Sequence, residues 1–213
     1  MSQLFSKENK EAFFGPLGAN NPVAVQVLGI CSALAVTAQI EPAIVMGLSV
    51  TVIVALSNVI ISLIRKSIPN RIRIIVQLVV VAALVTIVSQ ILKAFAYDVS
   101  VQLSVYIGLI ITNCILMGRL EAFAMQNGPW ESFLDGIGNG LGYAWVLVVV
   151  AFFRELFGSG TLFGFPIVPQ SWYATEGGWY MNCGIMLTPV AALVLVGCII
   201  WFMKAREEKA QKK

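Results

Sequence analysis

Residues 43–64 read AIVMGLSVTVIVALSNVIISLI, an uncharged apolar run long enough to cross a bilayer as one helix. About 20 apolar residues in a helix match a hydrocarbon core of roughly 30 Å. Working outward, runs of the same kind occupy Pro22–Gln39, Ile74–Phe95, Val101–Met117 with an extension towards Met125, Leu141–Phe157 and Gly184–Met203. Together with Ala43–Ile64 these make six membrane spans, and with short loops they account for nearly all of the 213 residues. The composition agrees: 58% of residues are hydrophobic and 12% charged, at a mean hydropathy of +0.85. No water-facing surface of this size tolerates that balance. The expected architecture is one all-α integral membrane domain. It comprises a cytoplasmic N-terminal segment 1–20, a six-helix bundle 21–203 and a basic cytoplasmic tail 204–213.

Charge placement orients the bundle. With both termini in the cytoplasm, Lys7, Lys10, Arg65, Lys66, Arg71, Arg73, Arg119, Lys204, Arg206, Lys209, Lys212 and Lys213 lie inside, leaving Lys93 and Arg154 near the outer face. That is a strong positive-inside bias. The connection Gly158–Cys183 carries Trp172, Tyr173, Trp179 and Tyr180, which suits an outer interfacial loop. Residues 1–20 have no apolar core or small-residue cleavage pattern, so the first span is expected to serve as the insertion signal. Histidine is absent, which removes imidazole as a ligand or proton relay.

The first and fourth spans are short and interrupted. Asn21-Pro22 and Glu41-Pro42 close in the first, with Gly29 in its middle, and the fourth runs into Gly118-Arg119-Leu120-Glu121. Interrupted spans at matching places of two halves point to inverted repeats with a site near the midplane. Cys31 and Cys114 sit deep in these two spans. One reading is that each is a small buried hydrophobe; a disulfide is a second. The third is that a pseudo-twofold axis brings them together, as two of the four thiolates a [2Fe–2S] cluster takes. Cys183 and Cys198 have no symmetric counterpart and read as structural.

Glu41, Glu121, Arg119, Arg154 and Glu155 are the charges in or beside spans, where an ionisable group costs about 2.5–3.5 kcal/mol and is rarely idle. Each reads either as interfacial snorkelling with local ion pairs or as a functional group. Glu41, Asn113 and Glu121 are the candidate ion-path residues. Asn58 and Asn139 offer further neutral oxygens, although buried amides commonly pair with neighbouring helices. The run Asp135-Gly136-Ile137-Gly138-Asn139-Gly140-Leu141-Gly142 lacks the strand and lysine of a phosphate-binding loop, and its glycines read as close helix packing. There is no zinc pattern, nucleophile elbow or basic groove for nucleic acid.

The stretches from Asn21-Pro22 and Leu28-Gly29-Ile30-Cys31-Ser32 to Thr37, Gly108–Arg119, Glu121-Ala122-Phe123-Ala124, Asp135–Gly142 and Phe153-Arg154-Glu155-Leu156 resemble one family. It is the NqrD/RnfE family, membrane subunits of the Na⁺-translocating NADH:quinone oxidoreductase and of the Rnf complex; the likeness, greater to its NqrD members, spans essentially the whole chain. The resemblance implies two inverted three-helix repeats with helices 1 and 4 broken at the midplane of the bacterial inner membrane. It also implies a pseudo-symmetric partner, the paralogous NqrE, beside the A, B, C and F members of the same complex. Cys31 and Cys114 match the positions that supply half of a shared intramembrane [2Fe–2S] cluster. NADH and flavins would bind only on other subunits, electrons would pass to ubiquinone with Na⁺ export, and this chain would not be catalytic alone. The rival readings are the equivalent Rnf component and a stand-alone inverted-repeat ion transporter.

Overall fold

The computed structural model describes residues 15–16, 21–23, 25–69, 71–95, 106–158, 160–162, 165–166 and 184–211. The order is α1 (Ile30–Val36), α2 (Ile40–Ile64), α3 (Arg73–Phe95), α4 (Ile107–Ile111), α5 (Cys114–Arg119), a π-helical turn (Leu120–Ala124) and α6 (Pro129–Gly158). A small antiparallel hairpin, β1 (Thr161–Leu162) and β2 (Phe165–Pro166), a 3₁₀ turn (Gly184–Leu187) and α7 (Pro189–Gln211) follow. Among the described residues the regular structure is thus all-helical apart from that hairpin. Four helices among the described residues, α2, α3, α6 and α7, are long and apolar enough to cross a membrane.

Helix starts follow local chemistry. Pro129 and Pro189 open α6 and α7, and Pro42 lies in the first turn of α2. A first-turn N–H has no intrahelical partner, so proline loses nothing there. Glu41 and Glu131 place negative charge at the positive ends of their helices. Along the spans, hydroxyls return their protons to the preceding turn: Thr51 to the Gly47 carbonyl at 2.8 Å, Ser57 to Ile53 at 2.6 Å and Thr86 to Ala82 at 2.8 Å. Such back-bonding satisfies a polar group without water.

Two boundaries differ from the hydropathy pattern. The fifth span begins at Pro129, not Leu141, because the glycine-spaced run 135–142 is helical. The sixth helix continues through Gln211, into the segment expected as a basic tail. The expected span Pro22–Gln39 is helical only over α1, and the expected fourth span is divided into α4, α5 and the π turn.

The glycines in α6 pack it onto α2. A Cβ at Gly136 would lie 2.7 Å from the Ala55 Cα, and one at Gly140 2.7 Å from the Thr51 Cα; a Cβ at Gly47 would lie 2.8 Å from the Ala144 Cβ. Rising positions on α2 meet falling positions on α6, so the two helices are antiparallel with backbones nearly touching. The small-residue spacing of four permits this, and dispersion holds it where lipid provides no hydrophobic driving force. Around this pair the core gathers Met46, Val50, Ile53, Val54, Tyr143, Leu147 and Val150. Leu48, Val52, Leu63, Ile75, Val79, Val190, Val194 and Trp201 are exposed, forming the apolar perimeter that lipid would cover.

Gly140→Leu is expected to force this seam apart, costing about 1–3 kcal/mol as overpacking does. Thermal unfolding in detergent reads the loss, and Gly197→Leu, where nothing lies within 4 Å, serves as the silent control.

Candidate functional site

The first irregular segment enters through turns and becomes helical only at Ile30. Gly29 precedes it at φ 83°, in the left-handed region glycine adopts readily, and Tyr143 occupies the space a Cβ would need: Cε2 would lie 2.8 Å away. Cys31 is therefore in the first turn of α1, directly before Ser32. The other segment stops at Thr112, takes extended backbone at Asn113 (φ −67°, ψ 124°) and restarts at Cys114. The Asn113 side chain caps the restart, its Oδ1 accepting from the Ile115 N–H at 3.3 Å.

These two interruptions are tied together. Asn113 Nδ2 donates to Ser32 Oγ at 3.2 Å and to Tyr143 Oη at 3.5 Å, while Ser32 Oγ lies 2.5 Å from Tyr143 Oη and donates to the Gly29 carbonyl at 2.9 Å. All three side chains are buried, yet Cys31 and Cys114, each one residue away, are exposed and free. The two thiols thus flank one buried polar knot and face away from the chain's own core. The contacts run in opposite chain directions, because Ser32 meets Asn113 while Leu28 lies beside Gly118, 3.0 Å from where its Cβ would be. Among the described residues no group of three or more His, Cys, Asp or Glu could hold a metal ion.

Arg154 and Glu155 manage the junction between α1 and α2. Arg154, 1% exposed, donates through Nη1 to the Leu34 carbonyl at 3.3 Å and to Thr37 Oγ1 at 2.7 Å. Its Nε reaches the Met186 carbonyl at 3.1 Å, and Nη2 the Leu187 and Thr188 carbonyls at 2.7 and 3.3 Å. Glu155 accepts the Ile40 N–H at 2.7 Å, capping α2 where Gln39 offers no side-chain cap. Neither residue snorkels. Arg119 binds Asp135 through both Nε and Nη2, with Asn139 donating to the same carboxylate at 2.9 Å.

The remaining sequence candidates separate. Glu121 sits in the π turn, whose one-residue bulge is marked by the Met125 N–H reaching the Leu120 carbonyl, and it bonds Arg73 at 2.5 Å and Gln77 at 3.2 Å. Glu41 is exposed in the first turn of α2. Asn113 belongs to the knot. Cys198 is exposed on α7, and Cys183 lies outside the described residues. Ser32 and Tyr143 were missed from the sequence. The available signal was a tyrosine in an apolar span, whose hydroxyl must find a partner.

With this geometry in place, residues 9–200 match the family of Rnf-Nqr subunit membrane proteins. The chain is 53% identical over 209 residues to the D subunit of the Na⁺-translocating NADH-quinone reductase of Pseudoalteromonas atlantica, with 98% of each chain covered. It is 56% identical over 199 residues to the D subunit of the Photobacterium profundum reductase, covering 93% of each. With the corresponding D subunit of Haemophilus influenzae it shares 55% over 204 residues, or 96% of this chain and 97% of the other. The chain belongs to the Rnf-Nqr family of membrane subunits.

Arg154→Gln is expected to take the donor from the buried Thr37 hydroxyl and from several part-buried carbonyls, at about 1–3 kcal/mol in total. The melting temperature in detergent should fall clearly, whereas Arg206→Gln, at an exposed position on α7, should leave it unchanged.

Proposed function

We propose that this chain is NqrD, the D subunit of a Na⁺-translocating NADH:quinone reductase in the bacterial inner membrane. In this reading Cys31 and Cys114 supply two of the four thiolates of an intramembrane [2Fe–2S] cluster completed by the paralogous NqrE. The observation that carries the reading is that two free, exposed cysteines each adjoin a residue of one hydrogen-bonded pair, Ser32 and Asn113. Sulfur donors suit iron–sulfur chemistry. Two thiols with no third metal-binding side chain nearby among the described residues fit a half-site shared across a subunit interface. The relatives' names support the assignment to NqrD.

When bound, such a cluster supplies a one-electron relay. The chain's own contribution is positional. The interruptions at Gly29 and Thr112-Asn113 turn the cysteines outward, and the knot satisfies the polar groups that the interruptions free. The surrounding Val36, Ile115 and Leu116 are buried and exclude water. The chain binds neither NADH nor flavin in this scheme and does not act alone.

Two features support inverted three-helix repeats with broken first and fourth helices. The segments around Cys31 and Cys114 run antiparallel where they touch. Further, α1 is held at its start by Tyr143 and at its end by Arg154, so it runs parallel to α6, as first and fifth spans must. The basic residues at both ends favour cytoplasmic termini. On the candidate ion path, Asn113 is engaged in the knot and Glu121 with Arg73 and Gln77, while Glu41 is exposed; the role proposed for the three rests on their places beside the interrupted spans.

In the assembled complex, Cys31→Ala and Cys114→Ala should each abolish the paramagnetic signal of this cluster and lower iron content, while Cys183→Ala and Cys198→Ala keep both. Full iron together with full quinone reduction in either of the first pair would refute the relay assignment.

A further inference from the structure

The protons of the buried knot can be assigned. Ser32 has one hydroxyl proton, and it goes to the Gly29 carbonyl at 2.9 Å. The 2.5 Å contact between Ser32 Oγ and Tyr143 Oη must then be made with the tyrosine proton. Asn113 spends its Oδ1 on the Ile115 N–H and its Nδ2 protons on Ser32 and Tyr143. Every side-chain proton is placed and every side-chain oxygen accepts at least once, with Ser32 accepting twice and Tyr143 donating once and accepting once. The circuit closes in one arrangement only, and Tyr143 is its sole member outside the two cysteine-bearing segments.

We infer that the Tyr143 hydroxyl is a positioning group for the two thiols: through Ser32 and Asn113 it sets the spacing of the turns that carry Cys31 and Cys114, and so tunes any metal group they share. The tuning half of this rests on the cluster reading above; the spacing half does not. The tyrosine ring also lies against Gly29, two residues before Cys31, so the same side chain fixes that turn by contact and by hydrogen bond. Phenylalanine would preserve the contact and remove the bond. Ser32 would then lose a donor and Asn113 an acceptor, in a place water does not reach. Outer partners of this kind orient metal ligands and adjust their electronics.

The test compares Tyr143→Phe, Ser32→Ala and Ser32→Thr in the intact complex. In the first two, the inference expects iron to be present but held on the order of 10-fold less tightly against a chelator. A displaced midpoint potential and an altered paramagnetic line shape should accompany this. Ser32→Thr, which keeps the hydroxyl, should restore the wild-type values. The double variant Tyr143→Phe with Ser32→Ala should shift no further than either single one, because both open the same circuit.

Separately, spin labels on Cys31 and Cys114 of the full chain, with Cys183→Ser and Cys198→Ser, report the spacing without a cluster. Tyr143→Phe should broaden their distance distribution. Unchanged distances in Tyr143→Phe would overturn the inference, as would unchanged potential and line shape. If Cys31→Ala leaves the cluster signal intact, the cluster reading fails, and the spacing claim is then decided by the labels alone. If Tyr143→Phe does not assemble, Ser32→Ala decides by the same readouts.

Discussion

A backbone N–H or C=O left unpaired in hydrocarbon costs several kcal/mol, and the whole arrangement answers to that constraint. Regular helix meets it without help. Among the described residues, where regular helix is interrupted around Gly29, Thr37 and Asn113, side chains bond to the backbone there or brace the groups that do, and several of them come from α6. Tyr143 serves the opening of α1 through Ser32. Arg154 serves the closing of α1, and Glu155 caps α2 three residues further on. Near the start of the described chain, Asn21 donates to the Gly142 carbonyl at 3.1 Å, again on α6.

Arginine is suited to its place here. A buried cation needs compensation, and Arg154 finds it in five oxygens, none of them a carboxylate. Carbonyls at a helix end carry partial negative charge, so several together offset a guanidinium without a buried counter-ion. The planar fork reaches α1 and the 3₁₀ turn Gly184–Leu187 at once, which an ammonium on a flexible stem would do poorly. Of the other buried charges, Glu155 accepts the Ile40 N–H, and Asp135 is matched in the conventional way by Arg119.

Much of the fold is legible because hydrophobic length is a direct consequence of bilayer thickness: α2, α3, α6 and α7 all lie on apolar runs. The misplaced start of α6 has a physical origin. Glycine lowers both hydropathy and helix propensity, so 135–142 looks like a loop in isolation; its helical state is set by the backbone of α2, which the local sequence does not contain. At the site, Cys31 and Cys114 are visible as thiols in interrupted spans, and Asn113 as a buried amide. Tyr143 escapes because its partners lie 111 and 30 residues away, a separation that no motif encodes. Arg154 and Glu155 are visible as charges, but whether a terminal charge turns out to water or inward to carbonyls depends on the neighbouring turns.

Tyr143 and Arg154 stand three helical turns apart on nearly one face of α6, about 16 Å along its axis. They grip α1 at opposite ends. A short helix clamped at both ends to a long one cannot pivot or slide against it without breaking both attachments, so α1 and α6 travel as one rigid strut. Any rearrangement during turnover therefore has to bend elsewhere, and the thiol of Cys31 would be carried along by a lever rather than moved by a hinge of its own.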